Sequence, residues 1–193
     1  MKVVAVPDAR GEWLRPFLRN DFSQFGEDGL IEALFARIGE NNRWCFEIGA
    51  HDGTFFSNTL RLRNLGWRAV LIEADDGAFA TLQRQYGASA YCVHCRAANG
   101  DLDRILSQAS APANLDFGVI DIDGEDHALW DAMVEHTPRV MLVEHSYGRP
   151  DDLPAPGVQA GLGYIVELAK RKGYVPLIAT QTNLLCCLES ENV

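Results

Sequence analysis

A chain of 193 residues, 47% hydrophobic and 23% charged, has the length and balance of one globular domain with a sizeable core. Its 27 acidic residues outnumber 17 basic ones, and the formal net charge of -10 argues against nucleic acid as a partner, since phosphate tracking draws on clustered Lys and Arg. No apolar run approaches the ~20 residues that span a bilayer, and the N-terminus lacks a basic region followed by an apolar stretch, so the expectation is a soluble, cytoplasmic protein without a membrane partner.

The chain is expected to form a single domain, 1–193, with residues 1–21 as an N-terminal extension and 22–193 as the core. The extension holds an apolar start (Val3-Val4-Ala5-Val6) and a cluster of Trp13, Leu14, Phe17 and Leu18, which fit either a short strand or a helix. The stretch Ser23-Gln24-Phe25-Gly26-Glu27-Asp28-Gly29 then leads into Leu30, Ile31, Leu34, Phe35 and Ile38, apolar at helical spacing, predicting a helix over the first strand. From about residue 43 apolar strand-like runs alternate with amphipathic helical ones, the sign of a parallel sheet with helices on both faces. Strands are expected at 43–48, 68–73, 88–95, 115–121, 139–144, 174–180 and 184–189. Between them come helices at 58–65, 76–86, 102–107, 126–135 and 157–172, with Ser57 as a cap for the first and Gly66, Gly87 and Gly173 as stops. The last two strands are separated only by Gln181-Thr182-Asn183, too short for a helical crossover, and should pair antiparallel. The fold class is therefore α/β, a Rossmann-like seven-stranded, mostly parallel sheet with an antiparallel last strand. The segment 146–156, with three prolines, reads as a loop after the fifth strand.

The first strand runs into Phe46-Glu47-Ile48-Gly49-Ala50-His51-Asp52-Gly53, where an acid closes the strand and two glycines let the backbone approach a ligand without Cβ interference. This is Glu-x-Gly-x-x-x-Gly, unlike the Gly-x-Gly-x-x-Gly loop of dinucleotide binders, in which an acid would repel the pyrophosphate. A ligand with a cationic amino group or sulfonium and no phosphate fits better, so S-adenosylmethionine (SAM) outranks NAD. Ligands of open α/β sheets lie beyond the carboxyl ends of the strands, where Glu47, Glu73, Asp121 and Glu144 all fall. Glu73 is placed to accept both ribose hydroxyls, and Glu47 either to attract the cationic methionine end or only to tether loop N–H groups. Gln24 and Asp28 could reach over the glycine loop, or Ser23, Glu27 and Asp28 could simply cap a helix. Ser57 and Asn58 read as caps first and ligand contacts second, and Asn99 as an adenine contact or a turn residue before Gly100.

The densest cluster is Asp121, Asp123, Glu125, Asp126 and His127 after the fourth strand, facing Glu144 and His145 after the fifth. Asp121, Asp123, Glu144 and His145 could hold Mg²⁺, Mn²⁺ or Fe²⁺ and lower the pKa of a substrate hydroxyl. Without metal, Asp121 and Asp123 would contact SAM and substrate, and His145 or Asp123 leads as general base. His51, His94 and His136 read as a loop residue, a strand residue and an exposed helix end, and Trp130 and Phe117 as core. Five cysteines, Cys45, Cys92, Cys95, Cys186 and Cys187, read as reduced, buried thiols. Cys92 and Cys95 have the spacing of half a zinc site, but adjacent Cys186 and Cys187 supply no second half.

Several segments in order resemble the FkbM-like group of class I SAM-dependent methyltransferases, over nearly the whole span 22–187. They are Ser23 to Asp28, Phe46 to Gly53, Ser57-Asn58-Thr59, Gly66-Trp67-Arg68-Ala69-Val70-Leu71-Ile72-Glu73-Ala74, Asp121 to Asp126 with Trp130, Pro138 to Glu144, and Gly173-Tyr174 with Asn183. The resemblance implies the class I methyltransferase fold and SAM as methyl donor. It adds Gly49, Asp52, Gly53 and Ala74 to Gln24, Asp28, Glu47, Ser57, Glu73, Asn99 and Asp121 as cofactor-binding residues. The chain departs from the group's pattern at His51 and His145. The reaction implied is O-methylation of a small-molecule or carbohydrate-like hydroxyl, with the 146–156 loop and the N-terminal residues lining the acceptor pocket. Two other readings stay open: a metal-dependent enzyme using the Asp121/Asp123/Glu144/His145 cluster, and a non-catalytic SAM-binding scaffold. Assembly as a homo-oligomer is equally open.

Overall fold

One seven-stranded sheet, in the order β3-β2-β1-β4-β5-β7-β6, organises the chain. The strands are β1 (Trp44–Ile48), β2 (Arg68–Glu73), β3 (Tyr91–His94), β4 (Phe117–Ile120), β5 (Val140–Glu144), β6 (Tyr174–Ala179) and β7 (Asn183–Leu188). The helices are α1 (Glu27–Ile38), α2 (Leu60–Asn64), α3 (Asp76–Tyr86), α4 (Asp101–Gln108), α5 (Asp126–Ala132) and α6 (Leu162–Arg171). The computed structural model describes residues 5–147, 155 and 157–193, so most of the expected 146–156 loop and the Val3-Val4 start lie outside the described residues.

Strands β1, β2, β3, β4 and β5 pair in parallel, with Phe46 beside Val70 and Gly118. Strand β7 lies antiparallel between β5 and β6, with Leu142 opposite Leu185 and Tyr174 opposite Leu188, so it alone reverses. Every residue of β1, β4, β5 and β6 is buried, as expected of strands covered by helices on both faces. On one face Phe46, Val70 and Met141 meet Leu102, Leu106, Trp130, Ile165 and Leu168 from α4, α5 and α6. On the other, Cys45, Leu71, Phe117 and Val119 meet Leu30, Leu34, Phe35, Leu62 and Leu82 from α1, α2 and α3. Trp130 and Phe117 are fully buried core residues.

Several boundaries differ from the sequence expectation for local reasons. The edge strand β3 has only four residues, because Tyr86 O caps the turn that occupies 87–90 by accepting from the N–H groups of Ser89 and Ala90. Helix α6 starts at Leu162, not at 157, because Ser146 and Gly161 form a parallel bridge just ahead of it. The N-terminal ambiguity resolves as a 3₁₀ helix, Ala9–Phe17, started by Asp8, whose carboxylate accepts from the Arg10 N–H. Gly11 within it lies against β6 so closely that a Cβ would stand 1.9 Å from the Leu177 carbonyl oxygen.

His136 corrects the reading of an exposed helix end: it is 5% exposed, and its Nδ1 lies 2.9 Å from Asp103 Oδ1. The Asp103 carboxylate also accepts from the N–H groups of Val134, Glu135 and His136, tying α4 to the turn after α5. All five cysteines are free thiols; Cys45, Cys186 and Cys187 are buried, whereas Cys92 and Cys95 are only partly so. No helix among the described residues is long and apolar enough to cross a membrane.

Candidate functional site

Strand order reverses between β1, which continues outward to β2 and β3, and β4, which continues to β5. A cleft of about 450 Å³ opens at the carboxyl ends of the strands at this switch point, where open α/β sheets bind ligands. The glycine loop forms its floor. Gly49 has φ +81°, and a Cβ on it would stand 1.6 Å from the Asp121 carbonyl oxygen, so only glycine lets the loop cross the end of β4. Gly53 has φ +79°, and a Cβ on it would stand 2.7 Å from the Leu82 and Tyr86 side chains of α3, which fixes the loop's far side without lining the cleft.

Each carboxylate around the loop has a definite partner. Glu47, only 3% exposed, accepts from Ser57 Oγ at 2.7 Å, Thr59 Oγ1 at 2.5 Å and the Asn58 N–H at 2.8 Å. Of the two roles open for it, tethering is thus visible: the residue clamps the head of α2 to the end of β1. Ser57 Oγ in turn accepts from the Leu60 N–H at 3.1 Å, so it caps α2 and stays out of the cleft. Glu73 lines the cleft with its carboxylate already oriented, Oε1 taking the N–H groups of Ala74 and Asp75 and Oε2 that of His51, each at 2.7 Å. Two carboxylate oxygens offer about four lone-pair positions, so a hydroxyl donor can still be accepted. Asp52 spends Oδ1 on the N–H groups of Thr54 and Phe55, both at 2.8 Å, and does not line the cleft. Burial works to raise its pKa, yet those two N–H groups hold it below the usual value.

Across the cleft the end of β4 behaves differently. Burial, then the charge of Asp126, push the Asp121 carboxyl up, while burial and then Asp121 push Glu144 up further. Burial and the mutual repulsion of neighbouring carboxyls thus both favour the protonated form of this pair. Asp123, exposed and at φ +57°, donates its backbone N–H to Glu144 Oε2 at 3.1 Å. Asp126 folds this loop by accepting from the Ile122 N–H at 2.8 Å and the Gly124 N–H at 3.0 Å. Burial nevertheless pushes its pKa up to about 6.

Gln24, Glu47, Gly49, Glu73, Ala74, Asp121, Asp123 and Glu144 therefore share the cleft. Five residues expected to bind the cofactor do not line it: Asp28, Asp52, Gly53, Ser57 and Asn99. Asp28 Oδ2 is spent on the N–H groups of Asp21, Phe22 and Ser23, and Ser23 Oγ accepts from the Asp28 N–H, which is the capping alternative. Asn99 is exposed in the turn ahead of Gly100, at φ +86°. His145 also lies outside the cleft: it is 2% exposed, with Nδ1 against the Ser146 carbonyl oxygen at 3.3 Å, and burial lowers its pKa. Among the described residues no group of three or more His, Cys, Asp or Glu side chains is arranged to hold a metal ion, so the expected centre at Asp121, Asp123, Glu144 and His145 finds no support in the geometry.

Sequence reasoning missed the wall formed by Cys95, Arg96 and Ala97 after β3, which carries no motif. It also missed Phe55 and Phe56, 58% and 44% exposed at the cleft with ring centroids 4.1 Å apart; the available signal was two adjacent aromatics in the loop just after Gly53. Arg63 locks the loop from below by donating to the Gly53 carbonyl and to Ser57 Oγ, with its guanidinium 4.4 Å from the Tyr86 ring centroid.

No protein-family model and no curated protein matches the chain. Solved structures do. The O-methyltransferase TomG from Streptomyces achromogenes, involved in tomaymycin synthesis and solved in complex with SAM, aligns at TM-score 0.58 and 20% identity, over 96% of this chain and 92% of that one. Precorrin-6y C5,15-methyltransferase from Geobacter metallireducens aligns at TM-score 0.53 and 14% identity, over 87% of this chain and 90% of that one. The CurJ carbon methyltransferase aligns at TM-score 0.53 and 11% identity over 83% of this chain, which spans only 52% of that longer protein. At these identities the likeness is one of fold: the seven-stranded sheet with its reversed last strand is the Rossmann-like fold of methyltransferases.

Proposed function

We propose that the chain is a SAM-dependent methyltransferase acting on a small-molecule hydroxyl, with the adenosine and methionine parts of the donor laid along the cleft. The observation that carries this reading is Glu73: its carboxylate stands at the end of β2, inside the cleft, held by three N–H groups with accepting capacity to spare. That is the group a ribose diol needs. Glu47, Asp121 and Glu144 make the opposite side anionic, which suits a sulfonium and an α-ammonium and opposes a diphosphate. SAM supplies a methyl group on a positively charged sulfur that is already a good leaving group, so catalysis is mainly positioning. The acceptor oxygen forms the new bond to the methyl carbon as the carbon–sulfur bond breaks, and its proton passes to a carboxylate. Asp121, paired with Glu144, and Asp123 at the cleft edge are the residues placed to take it, whereas buried His145 is not. The net charge of -10 supports a small acceptor over a nucleic acid. The resemblance to the FkbM-like group supports oxygen as the acceptor atom.

Calorimetry with SAM tests the donor half. Glu73→Ala should weaken binding by at least about 150-fold, the value of two hydrogen bonds to a charged group at the low end of their range. Absence of binding to the intact protein, or an unchanged affinity in the variant, sinks the reading. Tight SAM binding without turnover across a panel of hydroxylated acceptors would instead favour the non-catalytic scaffold.

A further inference from the structure

On the SAM reading, one part of the donor still lacks a partner in the cleft. Besides its two cationic centres SAM carries an α-carboxylate, which Glu47, Glu73, Asp121 and Glu144 oppose. Among the described residues lining the cleft, three side chains carry N–H donors: Gln24, His51 and Arg96. The carboxylate shares its carbon with the α-ammonium, so both lie at whichever end the acids draw the ammonium to. Glu47, Asp121 and Glu144 stand at the ends of β1, β4 and β5, whereas Arg96 follows β3, on the far side of Glu73 in the sheet order. His51 stands among acids itself, with its N–H on Glu73 Oε2 and its Nδ1 3.7 Å from Asp52 Oδ1. Gln24 is the donor left.

Gln24 is exposed at the cleft, and no hydrogen bond among the described residues occupies its side-chain amide. Its backbone, by contrast, is fixed. The Asn20 side-chain amide donates to the Gln24 carbonyl oxygen at 2.6 Å, the Ser23 N–H to Asp28 Oδ2 at 2.7 Å and the Phe25 N–H to Glu27 Oε2 at 2.7 Å. Glu27 is fully buried, and its Oε1 accepts from Thr180 Oγ1 at 2.6 Å, which ties the turn before α1 to the hairpin of β6 and β7. Its partners among the described residues are neutral donors: the Phe25 N–H, Thr180 Oγ1 and, at 3.5 Å, Asn183 Nδ2. A buried acid without a cation is costly, and what this one holds is the turn that presents Gln24. We infer that Gln24 gives its side-chain amide to the α-carboxylate of the donor, and that Glu27, which does not line the cleft, is the positioning residue that holds Gln24 there. An amide suits this place because it donates without carrying a charge. It meets the carboxylate without pairing off the acids that hold the ammonium.

Calorimetry with SAM and with decarboxylated SAM, which keeps the sulfonium and an ammonium but lacks the carboxylate, isolates the contact. Gln24→Ala should weaken SAM at least about tenfold, the value of one hydrogen bond to a charged group, and leave decarboxylated SAM within about twofold. Gln24→Glu should weaken SAM further without weakening decarboxylated SAM, because the added charge repels only the carboxylate. Glu27→Gln removes an accepting oxygen from the tie. It should weaken SAM, spare decarboxylated SAM and cost nothing more on top of Gln24→Ala, as expected of a residue that acts through another. Thr180→Val cuts the same tie from the hairpin side and should give the same pattern, so it serves where Glu27→Gln does not fold. Equal losses for the two compounds in Gln24→Ala overturn the assignment. A carboxylate-specific loss in Arg96→Gln in place of Gln24→Ala overturns it too, since it puts the methionine end beside β3. Additive losses in the double variant overturn the positioning role of Glu27. Binding of neither compound to the intact protein removes the SAM reading along with this one, whereas SAM that binds the intact protein and Gln24→Ala alike overturns this one alone.

Discussion

The two aspartates that bracket β4, Asp116 fully buried and Asp121 half-buried at the cleft, meet opposite surroundings. Asp116, before the strand, is fully buried and accepts from the N–H groups of Asn41, Asn42 and Arg43 and from the Arg139 guanidinium at 2.8 Å. Asp121, after the strand, has the carboxyls of Asp126, Glu144, Asp123 and Glu47 as its charged neighbours. The amino end of the sheet therefore closes its own charge, and the carboxyl end leaves it open. Evenly satisfied charge is what a fold needs to be unique, and locally unsatisfied charge is what a site for a cation needs. The same division separates Glu47 and Asp52, spent on their own loops, from Glu73, which is oriented by its loop and still able to accept.

The largest effect should come from breaking the closed end. Arg139 joins Asp116 to Glu191 and also donates to the Ile38 and Gly39 carbonyl oxygens. Arg139→Ala would leave Asp116 buried without its cation, and chemical denaturation should show a loss of about 3–5 kcal/mol. A loss below about 1 kcal/mol would mean that the backbone N–H groups alone satisfy Asp116, and the contrast with Asp121 would fail.

At the open end the sign reverses. Burial and neighbouring carboxyls raise Asp121 and Glu144 above their ordinary values, and burial raises Asp126 to about 6. A carboxyl whose folded pKa lies above its unfolded one, near 4, stabilises fully only below the unfolded value and loses that contribution as pH rises through the folded one. The ligand-free protein should therefore be less stable at pH 8 than at pH 5. Asp121→Asn removes one of the repelling groups, and at pH 8 it should raise stability by about 1–2 kcal/mol while flattening the pH profile. Thermal melts of both proteins across this range decide it, and a destabilised Asp121→Asn would show that the carboxylate is held by the fold after all.

The contrast also explains what the sequence could tell. Alternation of apolar runs marked the sheet, and the three-residue gap before Leu184 marked the reversed strand, because both depend on spacing alone. Glu73 was legible because a carboxylate ending β2 beside a glycine loop has few other tasks. Asp28, Asp52 and Ser57 looked identical in kind, and what separates them is which N–H groups the folded turn turns toward them, a property no spacing carries. His136 was misread for the same reason, since Asp103 lies 33 residues earlier in the chain and meets it only once α4 packs beside the turn after α5. The adjacency of Asp121 to Glu144 was visible from strand order, but a metal cluster and a proton-sharing pair have the same sequence. What separates them is how the folded loops bury and orient the carboxyls, which spacing does not carry.

The smallest and most discriminating effect is proton release from the Asp121–Glu144 pair, whose carboxyls burial and mutual repulsion push up. If SAM places its positive sulfur or ammonium in the cleft, that charge favours the ionised carboxylates, so their pKa values fall on binding and the proton leaves. Near neutral pH up to one proton should be released, and affinity should rise with pH, by as much as about tenfold per unit where release is complete. Calorimetry in two buffers of different ionisation enthalpy measures the number directly. The uncharged-sulfur product S-adenosylhomocysteine separates the two cationic centres of the donor, because it keeps the ammonium and lacks the sulfonium. Release with SAM but not with the product would place the sulfur against Asp121 and Glu144, and equal release with both would place the ammonium there. Release with neither, or uptake, would mean that the open charge of this end is not what the ligand answers, even if SAM binds.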